Sequence, residues 1–369
     1  MSSILKNITM AALEPSLLRS KFRGSLLGAL IGDCTGSPYE GETITAGEKI
    51  IIQRYFDKLE EPNLNLKTPF RAYTDDTAMT KSVAKFLIDK PEPDYGFLAR
   101  LFVNDYFKEP RRGYGQNVVD VFHKLKTSKF EDVFKPAAEQ FMGSGSYGNG
   151  GAMRIAPIGL YYHNNYKIMI KVATQSTKIT HTHLLGINGA LLQCMAVQQA
   201  LMLDPQKKLD PRHFCLELYL KMKEVEKTEE DGEDESDFTS RAYQEKLKVV
   251  ERLLGKPHDD NLDDEVIRNL GHGISAYESV PTAIYCFLKT QNESCGIMTD
   301  NLLRRTIQYA ITLGGDTDTI ASMAGAIAGA YLGEDAVNSS IAKHCESYKE
   351  IAELADNLFE ARGGSLVSE

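Results

Sequence analysis

Apolar residues recur three and four positions apart along almost the whole chain, from Phe22 to Phe359. The pattern is clearest in the segments LLGALIGD, DDTAMTKSVAKFLID, VVDVFHKLK and LLGINGALLQCMAVQQALML. Residues at this spacing share one face of a helix, which can then be buried. Alternating patterns typical of strands are scarce, and the only candidate is KIIIQRYF, from Lys49 to Phe56. The sequence therefore predicts an all-α fold.

The length of the chain allows one large domain or two smaller ones, because 369 residues exceed the usual size of a single domain. Polar breaks rich in glycine and proline occur at 41–46, 62–68, 110–115 and 143–151, and we interpret them as loops between helices. We predict one compact helical domain. Its predicted boundaries are a disordered tail at 1–19, the domain at 20–364 with an acidic surface insertion at 228–238, and a tail at 365–369.

The acidity of the chain is local. The net charge is -9, and the segment from Glu229 to Asp237 contains seven acids and no base, which leaves -2 for the remainder. No cluster of Lys and Arg is dense enough to follow a phosphate backbone, so we do not expect direct binding to duplex nucleic acid. No long apolar run suggests a membrane span. The six cysteines form no CxxC pair, which is typical of reduced thiols rather than a disulfide scaffold or zinc site.

Two acidic clusters, 74–77 (TDDT) and 314–319 (GGDTDT), lie far apart in the sequence and each opens a strongly helical segment. Either cluster alone could simply cap the free N–H groups of a helix. Together they supply four carboxylates and several hydroxyls without His or Cys, which favours Mg²⁺, Mn²⁺ or Ca²⁺ over zinc. If the two clusters meet, their mutual repulsion favours a dinuclear metal centre. Gly314 and Gly315 permit the close approach that such a site needs, or form a plain turn.

A glycine-rich loop from Gly143 to Gly151 (GSGSYGNGG) precedes the helix-like segment AMRIAPIGL. Successive backbone N–H groups followed by a helix start can bind a phosphate or pyrophosphate. The loop could equally be a generic flexible connection. It has neither Walker nor Rossmann glycine spacing, and GKS or GKT is absent, which disfavours binding of a nucleoside triphosphate.

The motifs FRGSLLGALIGDCTGSPYE, YTDDTAM, GSYGNGGAMRIAPIG, THTHLLGINGA, ESVPTAIYCFL and LGGDTDTIASMAGAIAGAYLG together resemble those of the ADP-ribosylglycohydrolase family. They occur in the family's order from about Phe22 to Gly333. The resemblance implies a single all-helical domain with two Mg²⁺ ions, or Mn²⁺ in their place, at the bottom of a cleft for ADP-ribose. The N-terminal tail and the acidic insertion depart from the family pattern.

The resemblance also assigns roles to individual residues. The metal ligands that it implies are Glu40, Thr74, Asp75, Asp76, Asp316, Asp318 and Thr319. The catalytic residues are Glu40, Asp75 and Asp76, of which either aspartate could be the base while Glu40 assists or only closes over the metals. The substrate-binding residues are Asp75, Phe141, Ser144, Gly145, Ser146, Tyr147, Gly148, Asn149, Gly150, His181 and Ile274.

Three of these assignments depend on the resemblance alone. Without it, Glu40 would be a solvated loop acid, Phe141 a core residue, and His181 a structural histidine on a helix. Within the implied set, the loop 144–150 binds pyrophosphate, and Phe141 and Tyr147 lie beside adenine.

The expected activity is magnesium-dependent hydrolysis of the O-glycosidic bond of ADP-ribose attached to serine, and of poly(ADP-ribose) and O-acetyl-ADP-ribose. The expected partners are ADP-ribosylated proteins, poly(ADP-ribose) and ADP-ribose. The resemblance further implies a monomer in the nucleus and cytoplasm, or in the mitochondrial matrix, that reverses ADP-ribosylation after DNA damage. A non-catalytic, metal-dependent ADP-ribose reader is the alternative, although every ligand position is filled. A DxDxT phosphatase is disfavoured, because the pattern fails at Ile320 and only 49 residues follow it.

Overall fold

The computed structural model describes residues 13–61, 71–226, 238–259, 261–291 and 295–362. Within these ranges the chain is helical, with two isolated β-bridges and no strand, which confirms the predicted all-α fold. The helices are α1 (Pro15–Gly36), α2 (Ala46–Leu59), α3 (Asp75–Asp89), α4 (Tyr95–Lys108), α5 (Gln116–Thr127), α6 (Lys135–Ala138), α7 (Ala156–Tyr161), α8 (Tyr166–Lys178), α9 (Leu184–Leu201), α10 (Pro211–Val225), α11 (Ala242–Leu254), α12 (Leu262–Leu270), α13 (Ala276–Lys289), α14 (Leu302–Thr312), α15 (Thr317–Leu332), α16 (Ser339–Lys343) and α17 (Tyr348–Ala361). Short 3₁₀ turns occur at Ser37–Tyr39, Gln140–Gly143, Asn149–Gly151, Phe238–Arg241 and Glu334–Ala336.

Helices α1 and α15 form an antiparallel pair at the centre of the fold, and glycines allow their backbones to touch. A Cβ on Gly28 would lie 2.2 Å from the carbonyl oxygen of Gly325, and one on Gly32 would lie 2.2 Å from that of Ala321. Real Cβ atoms do not approach backbone this closely, so glycine is required along this stripe. The pair fixes where the last turn of α1 lies relative to the first turn of α15.

The hydrophobic core surrounds this pair in the described part of the chain. Helices α9, α13 and α14 pack against α15, while α17 packs against α1 and α3. By length and composition α9 could cross a membrane, but 83% of it is buried inside the protein, as expected of a central core helix. All six cysteines are free thiols in buried positions.

The strand candidate from Lys49 to Phe56 is not a strand, because this segment belongs to helix α2. The hydroxyl of Thr45 accepts the backbone N–H of Glu48, whose carboxylate accepts the N–H of Thr45, and this capping box starts the helix. The face carrying Ile52 and Phe56 is buried, whereas Ile50 and Ile51 point outward. The spacing of the buried residues is therefore helical even though the local composition is typical of a strand.

The predicted domain boundaries lie partly outside the described residues. Helix α1 begins at Pro15, with proline in its first turn, so residues 15–19 of the predicted tail are helical. Residues 1–12, most of the acidic insertion at 228–238 and the tail at 365–369 lie outside the described part of the chain. Phe238, the last residue of that insertion, opens a 3₁₀ turn.

Candidate functional site

The two acidic helix starts meet at the bottom of a cavity. Thr74 caps α3, so that Asp75 and Asp76 lie in its first turn. Asp316 is the N-terminal flanking residue of α15. The hydroxyl of Thr319, near the start of α15, lies 3.2 Å from the Oδ2 atom of Asp76 and donates to it. The structure thus brings together two clusters that are far apart in the sequence.

The last turn of α1 holds both helix starts. The buried carboxylate of Asp33 accepts the backbone N–H groups of Thr74, at 3.0 Å, and Thr77, at 3.1 Å, together with the hydroxyl of Thr77. On the other side, the hydroxyl of Thr317 donates to the carbonyl oxygen of Gly36 at 2.9 Å. Asp33 therefore caps α3 from a neighbouring helix, a contribution that the sequence analysis missed.

The carboxylates of the two clusters are buried so close together that their pKa values rise. Burial, and then the neighbouring carboxylates, raise the pKa of Asp75 to about 8 and that of Asp318 to about 9. The pKa of Asp76 is raised well above its ordinary value, first by burial and then by Asp318. Burial also raises the pKa of Asp316. Crowding of this kind is typical of a site that a cation stabilises in its ionised form.

The donor set fits a hard metal ion. Carboxylate oxygens of Glu40, Asp316 and Asp318 lie within 4.8 Å of one another. The Oδ1 atom of Asp76 is buried and has no hydrogen-bond partner among the described residues, as expected of an acceptor that binds a cation. Oxygen atoms of this kind are the ligands that Mg²⁺ and Mn²⁺ prefer.

Glu40 follows a short 3₁₀ turn at the end of α1 and is exposed at the edge of the site. Partial burial, and then Asp316, raise its pKa. The backbone on either side is tied to the glycine pair before α15, because the N–H of Gly41 donates to Gly315 and the N–H of Gly315 donates to Glu42. Gly315 has φ 72°, and a Cβ there would lie 2.2 Å from the carbonyl oxygen of His272. Glycine is therefore required at this turn.

The glycine-rich loop forms the opposite wall of the cavity. Asn149 donates its side-chain amide to Asp316 and to Ser279, and so links the loop to the acidic clusters. Its backbone N–H donates to the carbonyl oxygen of Ile274 at 3.0 Å. Of the predicted substrate-binding residues, those that line this cavity are Asp75, Ser146, Gly148, Asn149, Gly150, His181 and Ile274.

The other predicted substrate-binding residues lie further out. Phe141 and Tyr147 are 47% and 53% exposed, and Phe141 lines a neighbouring surface cavity rather than the core. Ser144 and Gly145 do not line the central cavity. The predicted helix after the loop is wrong in its first residues, because 152–154 form a turn and α7 begins only at Ala156. The last three residues of the loop form the 3₁₀ turn Asn149–Gly151.

His181 lies in the connection between α8 and α9, not on a helix as it would if it were the structural histidine considered without the resemblance. Its ring packs against the glycines of the loop, with Nε2 at 3.3 Å from the position that a Cβ on Gly148 would take. Burial, and then the positive charge of Arg154, lower the pKa of His181 to about 3, which keeps the ring neutral.

Two arginines next to the acidic clusters were also missed by the sequence analysis. Arg112 accepts the N–H of Asp75 with its carbonyl oxygen at 2.7 Å, and its guanidinium group forms a bidentate ion pair with Glu346. Arg154 is fully buried beneath the cavity. Arg112 lies in the loop 110–115 beside Arg111, and Arg154 follows the glycine-rich loop as an isolated base, so no local spacing connects either of them to the acidic clusters.

Comparison with known proteins places the chain among close relatives. A family model described as ADP-ribosylglycohydrolase matches residues 14–366. "ADP-ribosylhydrolase ARH3" of Homo sapiens is 44% identical over 345 residues, covering 92% of this chain and 93% of the relative. The protein of the same name from Danio rerio is 38% identical, covering 94% and 92%. A solved structure titled "ADP-ribosylglycohydrolase-related protein complex" matches with a TM-score of 0.66 at 18% identity, covering 94% of this chain and 99% of that one, and supports the fold alone.

Proposed function

The chain belongs to the ADP-ribosylglycohydrolase family, and on that premise we propose that it removes ADP-ribose from serine side chains in a magnesium-dependent reaction. Its general activity follows from the family, and the chain is an ADP-ribosylhydrolase, a glycohydrolase enzyme. The family resemblance inferred from the sequence motifs is thereby confirmed. The observation that carries the proposal is the hydrogen bond from Thr319 to Asp76, which joins two remote acidic helix starts in one cavity.

We assign two Mg²⁺ ions to the acidic cluster, with Mn²⁺ as a chemical alternative, because four buried or partly buried carboxylates around one cavity need more than one positive charge. The residues that would hold the ions are Glu40, Thr74, Asp75, Asp76, Asp316, Asp318 and Thr319. When bound, the ions would supply Lewis-acid polarisation and an anchor for the neighbouring hydroxyls of the distal ribose.

Among the residues proposed to act on the substrate, Asp75 is the better candidate for the base. The Oδ2 atom of Asp76 already accepts the hydroxyls of Thr74 and Thr319, at 3.2 Å each, and its other oxygen is buried. Asp75 is less buried than Asp76 and lines the cavity. Its carboxylate can therefore accept a proton from an attacking water, while Glu40, at the edge of the site, assists or closes it.

The opposite wall is proposed to bind the rest of ADP-ribose. Backbone N–H groups of the loop 144–150 suit the pyrophosphate, and the exposed rings of Phe141 and Tyr147 suit adenine. His181, between α8 and α9, and Ile274, between α12 and α13, are proposed to complete the contacts with the ligand. Because the ligand is held by dipoles and a metal cluster, the acidic overall charge of the chain does not oppose binding.

We extend the proposal to O-acetyl-ADP-ribose and poly(ADP-ribose), which share the distal ribose with the serine-linked substrate. Reversal of ADP-ribosylation after DNA damage, a monomeric state, and location in the nucleus, cytoplasm or mitochondrial matrix are parts of the same proposal. All of them derive from the family resemblance. The cavity supports the shared chemistry, namely binding of an ADP-ribose group at its metal end.

The proposal is tested by release of ADP-ribose from a serine-ADP-ribosylated peptide. We expect Asp75→Ala and Asp316→Ala to lower turnover by at least about a hundredfold, because each removes a carboxylate that the cation and reacting water require. Asp89→Ala is the matched control, since Asp89 ends the same helix as Asp75 and pairs with Lys85 on the surface, away from the cavity. Near-normal turnover by either active-site variant would exclude the metal mechanism.

A reader without turnover is separated from an enzyme by a second measurement. Calorimetric titration with ADP-ribose, in Mg²⁺ and in EDTA, reports binding, and the peptide assay on the same sample reports hydrolysis. We expect metal-dependent binding together with turnover. Metal-dependent binding with no release from serine, polymer or acetyl substrates would favour the reader.

A further inference from the structure

A buried cation, Arg154, lies beneath the cavity. Among the described residues it forms no direct ion pair, the acid that attracts it at longer range is Asp75, and its guanidinium carbon lies 4.5 Å from the centroid of the Phe102 ring. Its Nη2 atom donates to the carbonyl oxygen of Ser176 at 3.0 Å and to the hydroxyl of Thr180 at 2.9 Å. Burying an arginine without a directly paired carboxylate is costly, so these directed contacts indicate a role beyond packing.

The hydroxyl of Thr180 connects this cation to His181. The distance between the Oγ1 atom of Thr180 and the Nδ1 atom of His181 is 2.7 Å. A guanidinium group can only donate, so Thr180 accepts from Arg154 and its own proton needs another acceptor. Among the contacts of this hydroxyl in the described chain, the only available acceptor is Nδ1. An accepting Nδ1 places the proton of the neutral ring on Nε2.

The Nε2 atom of His181 faces the cavity. It has no hydrogen-bond partner among the described residues, and the ring lines the cavity beside Gly148 and Gly150. A Cβ at these positions would lie 3.3 Å and 3.2 Å from Nε2, so the glycines keep this edge of the ring open. The opposite tautomer would point a lone pair at the same space and repel an oxygen atom there.

We propose that Arg154 and Thr180 are positioning residues that fix His181 as the Nε2–H tautomer, so that it donates a hydrogen bond to an oxygen of the bound ADP-ribose. This inference deepens the proposed function and rests on it for the identity of the ligand. This relay from Arg154 through Thr180 to His181 gives the buried positive charge a role. Arg154 orients the hydroxyl of Thr180, and that hydroxyl determines which nitrogen of the neutral His181 ring carries the proton. The accepting atom is a phosphate or ribose oxygen, since both are acceptors.

The tautomer is measured first, by NMR on the full chain with ¹⁵N-labelled histidine and without ligand. The His181 resonances are those that disappear in His181→Gln. We expect a protonated Nε2 and an unprotonated Nδ1 in the wild type, and a mixture of tautomers in Thr180→Val, which cannot donate to Nδ1. A protonated Nδ1 in the wild type, or an unchanged single tautomer in Thr180→Val, would overturn the relay.

Binding is measured next, by calorimetry with ADP-ribose in Mg²⁺. We expect Thr180→Val to weaken binding roughly tenfold, the loss of about one well-oriented hydrogen bond. Thr180→Ser keeps the hydroxyl and should restore both affinity and tautomer. Thr177→Val is the matched control, because the buried Oγ1 of Thr177 has no hydrogen-bond partner in the described part of the chain, and the affinity of this variant should not change.

The binding measurement separates the role of Thr180 from the proposed function. If the wild type binds ADP-ribose and Thr180→Val binds it equally well, the relay is wrong and the proposed function stands. If the wild type does not bind ADP-ribose at all, the proposed function and the ligand role of His181 both fall, whatever tautomer the spectra report.

Discussion

The two acidic helix starts carry the same kind of side chain but are held in place by different means. The start of α3 donates backbone N–H groups to a buried side chain, the carboxylate of Asp33. The start of α15 packs directly on the backbone of α1, where a Cβ on Gly36 would lie 2.6 Å from the Cα atom of Asp318. We call Asp33 the carboxylate anchor of α3 and Gly36 the backbone anchor of α15. The first acts through its charged side chain, and the second acts because it has no side chain.

This difference determines which substitutions would displace each helix start. A carboxylate anchor depends on its charge and on its hydrogen bonds, so a substitution of the same shape can weaken it. A backbone anchor depends only on space, so any added atom disturbs it. Because Asp33 and Gly36 lie in one turn of α1, a single helical turn aligns both halves of the proposed metal site. The metal site should therefore be sensitive to changes in α1, which contributes none of its helix-start ligands.

The largest expected effect comes from removing the metal, which changes the carboxylates of both helix starts in the same way. Without it, the pKa of Asp75 is about 8 and that of Asp318 about 9, against an ordinary value of 3.8. Between those values the folded protein keeps protons that the unfolded chain has released, so the free energy of unfolding falls as pH rises. Within this range, each of the two groups lowers the free energy of unfolding by up to about 1.4 kcal/mol per pH unit.

Thermal unfolding in EDTA and in saturating Mg²⁺ measures this effect. We expect the Tm of the metal-free protein to fall from about pH 4 to about pH 9, the window set by these pKa values, while the Tm in Mg²⁺ changes less. The Tm increase caused by Mg²⁺ should therefore grow with pH. A Tm increase that is the same at all pH values would contradict the raised pKa values of Asp75 and Asp318 in the metal-free protein.

The backbone anchor is tested by Gly36→Ala. The added methyl group would also lie 2.6 Å from the carbonyl oxygen of Thr317, so α15 must shift. We expect the free energy of unfolding to fall by about 3 kcal/mol, together with loss of most turnover, because Asp318 moves with the backbone. Urea denaturation and the peptide assay measure the two losses.

The control for this variant is Gly47→Ala in helix α2. A Cβ there would meet only the Oγ1 atom of Thr45, at 3.9 Å. Alanine should stabilise this helix position by up to about 1 kcal/mol and leave turnover unchanged. Equal stability of the two alanine variants would mean that Gly36 is not an anchor.

The carboxylate anchor is tested by Asp33→Asn, which keeps the shape and removes the charge and one acceptor. We expect a loss of about 2 kcal/mol in the free energy of unfolding and a several-fold higher Mg²⁺ concentration for half-maximal turnover. Asp94→Asn is the control, because Asp94 caps α4 through Phe97 at 2.9 Å, and asparagine caps equally well. An unchanged Mg²⁺ requirement in Asp33→Asn would show that the start of α3 holds its position unaided.

Much of the fold and the two helix starts could be predicted because their signals are local. The spacing of apolar residues in α1, α3, α5 and α9 is enough to identify helices, and acids after a threonine or glycine are enough to suggest their starts. Helix α2 was considered as a strand although its helix signal was equally local. The run of three isoleucines is typical of a strand, and the capping box of Thr45 and Glu48 just before it was not recognised.

The supporting residues could not be predicted, because their roles exist only in three dimensions. Asp33 lies in an apolar run in which a single acid gives no indication of its partners 41 and 44 residues away. Arg154 follows the glycine-rich loop as an isolated base, and its relay to His181 passes through a different connection. Such residues would be found from sequence only by asking why a charge interrupts a buried segment.

The smallest expected effect compares the two starts directly, by the same substitution in each. The hydroxyl of Thr77 donates to the carboxylate of Asp33 at 2.5 Å, whereas that of Thr317 donates to the neutral carbonyl oxygen of Gly36 at 2.9 Å. Hydrogen bonds to charged groups are stronger, so Thr77→Val should cost about 2 kcal/mol of unfolding free energy and Thr317→Val about 1 kcal/mol. Thr127→Val, on the surface, should cost less than about 0.5 kcal/mol. Equal losses at Thr77 and Thr317 would mean that the charge of Asp33 adds nothing to its anchor, because two anchors of different chemistry would then respond alike.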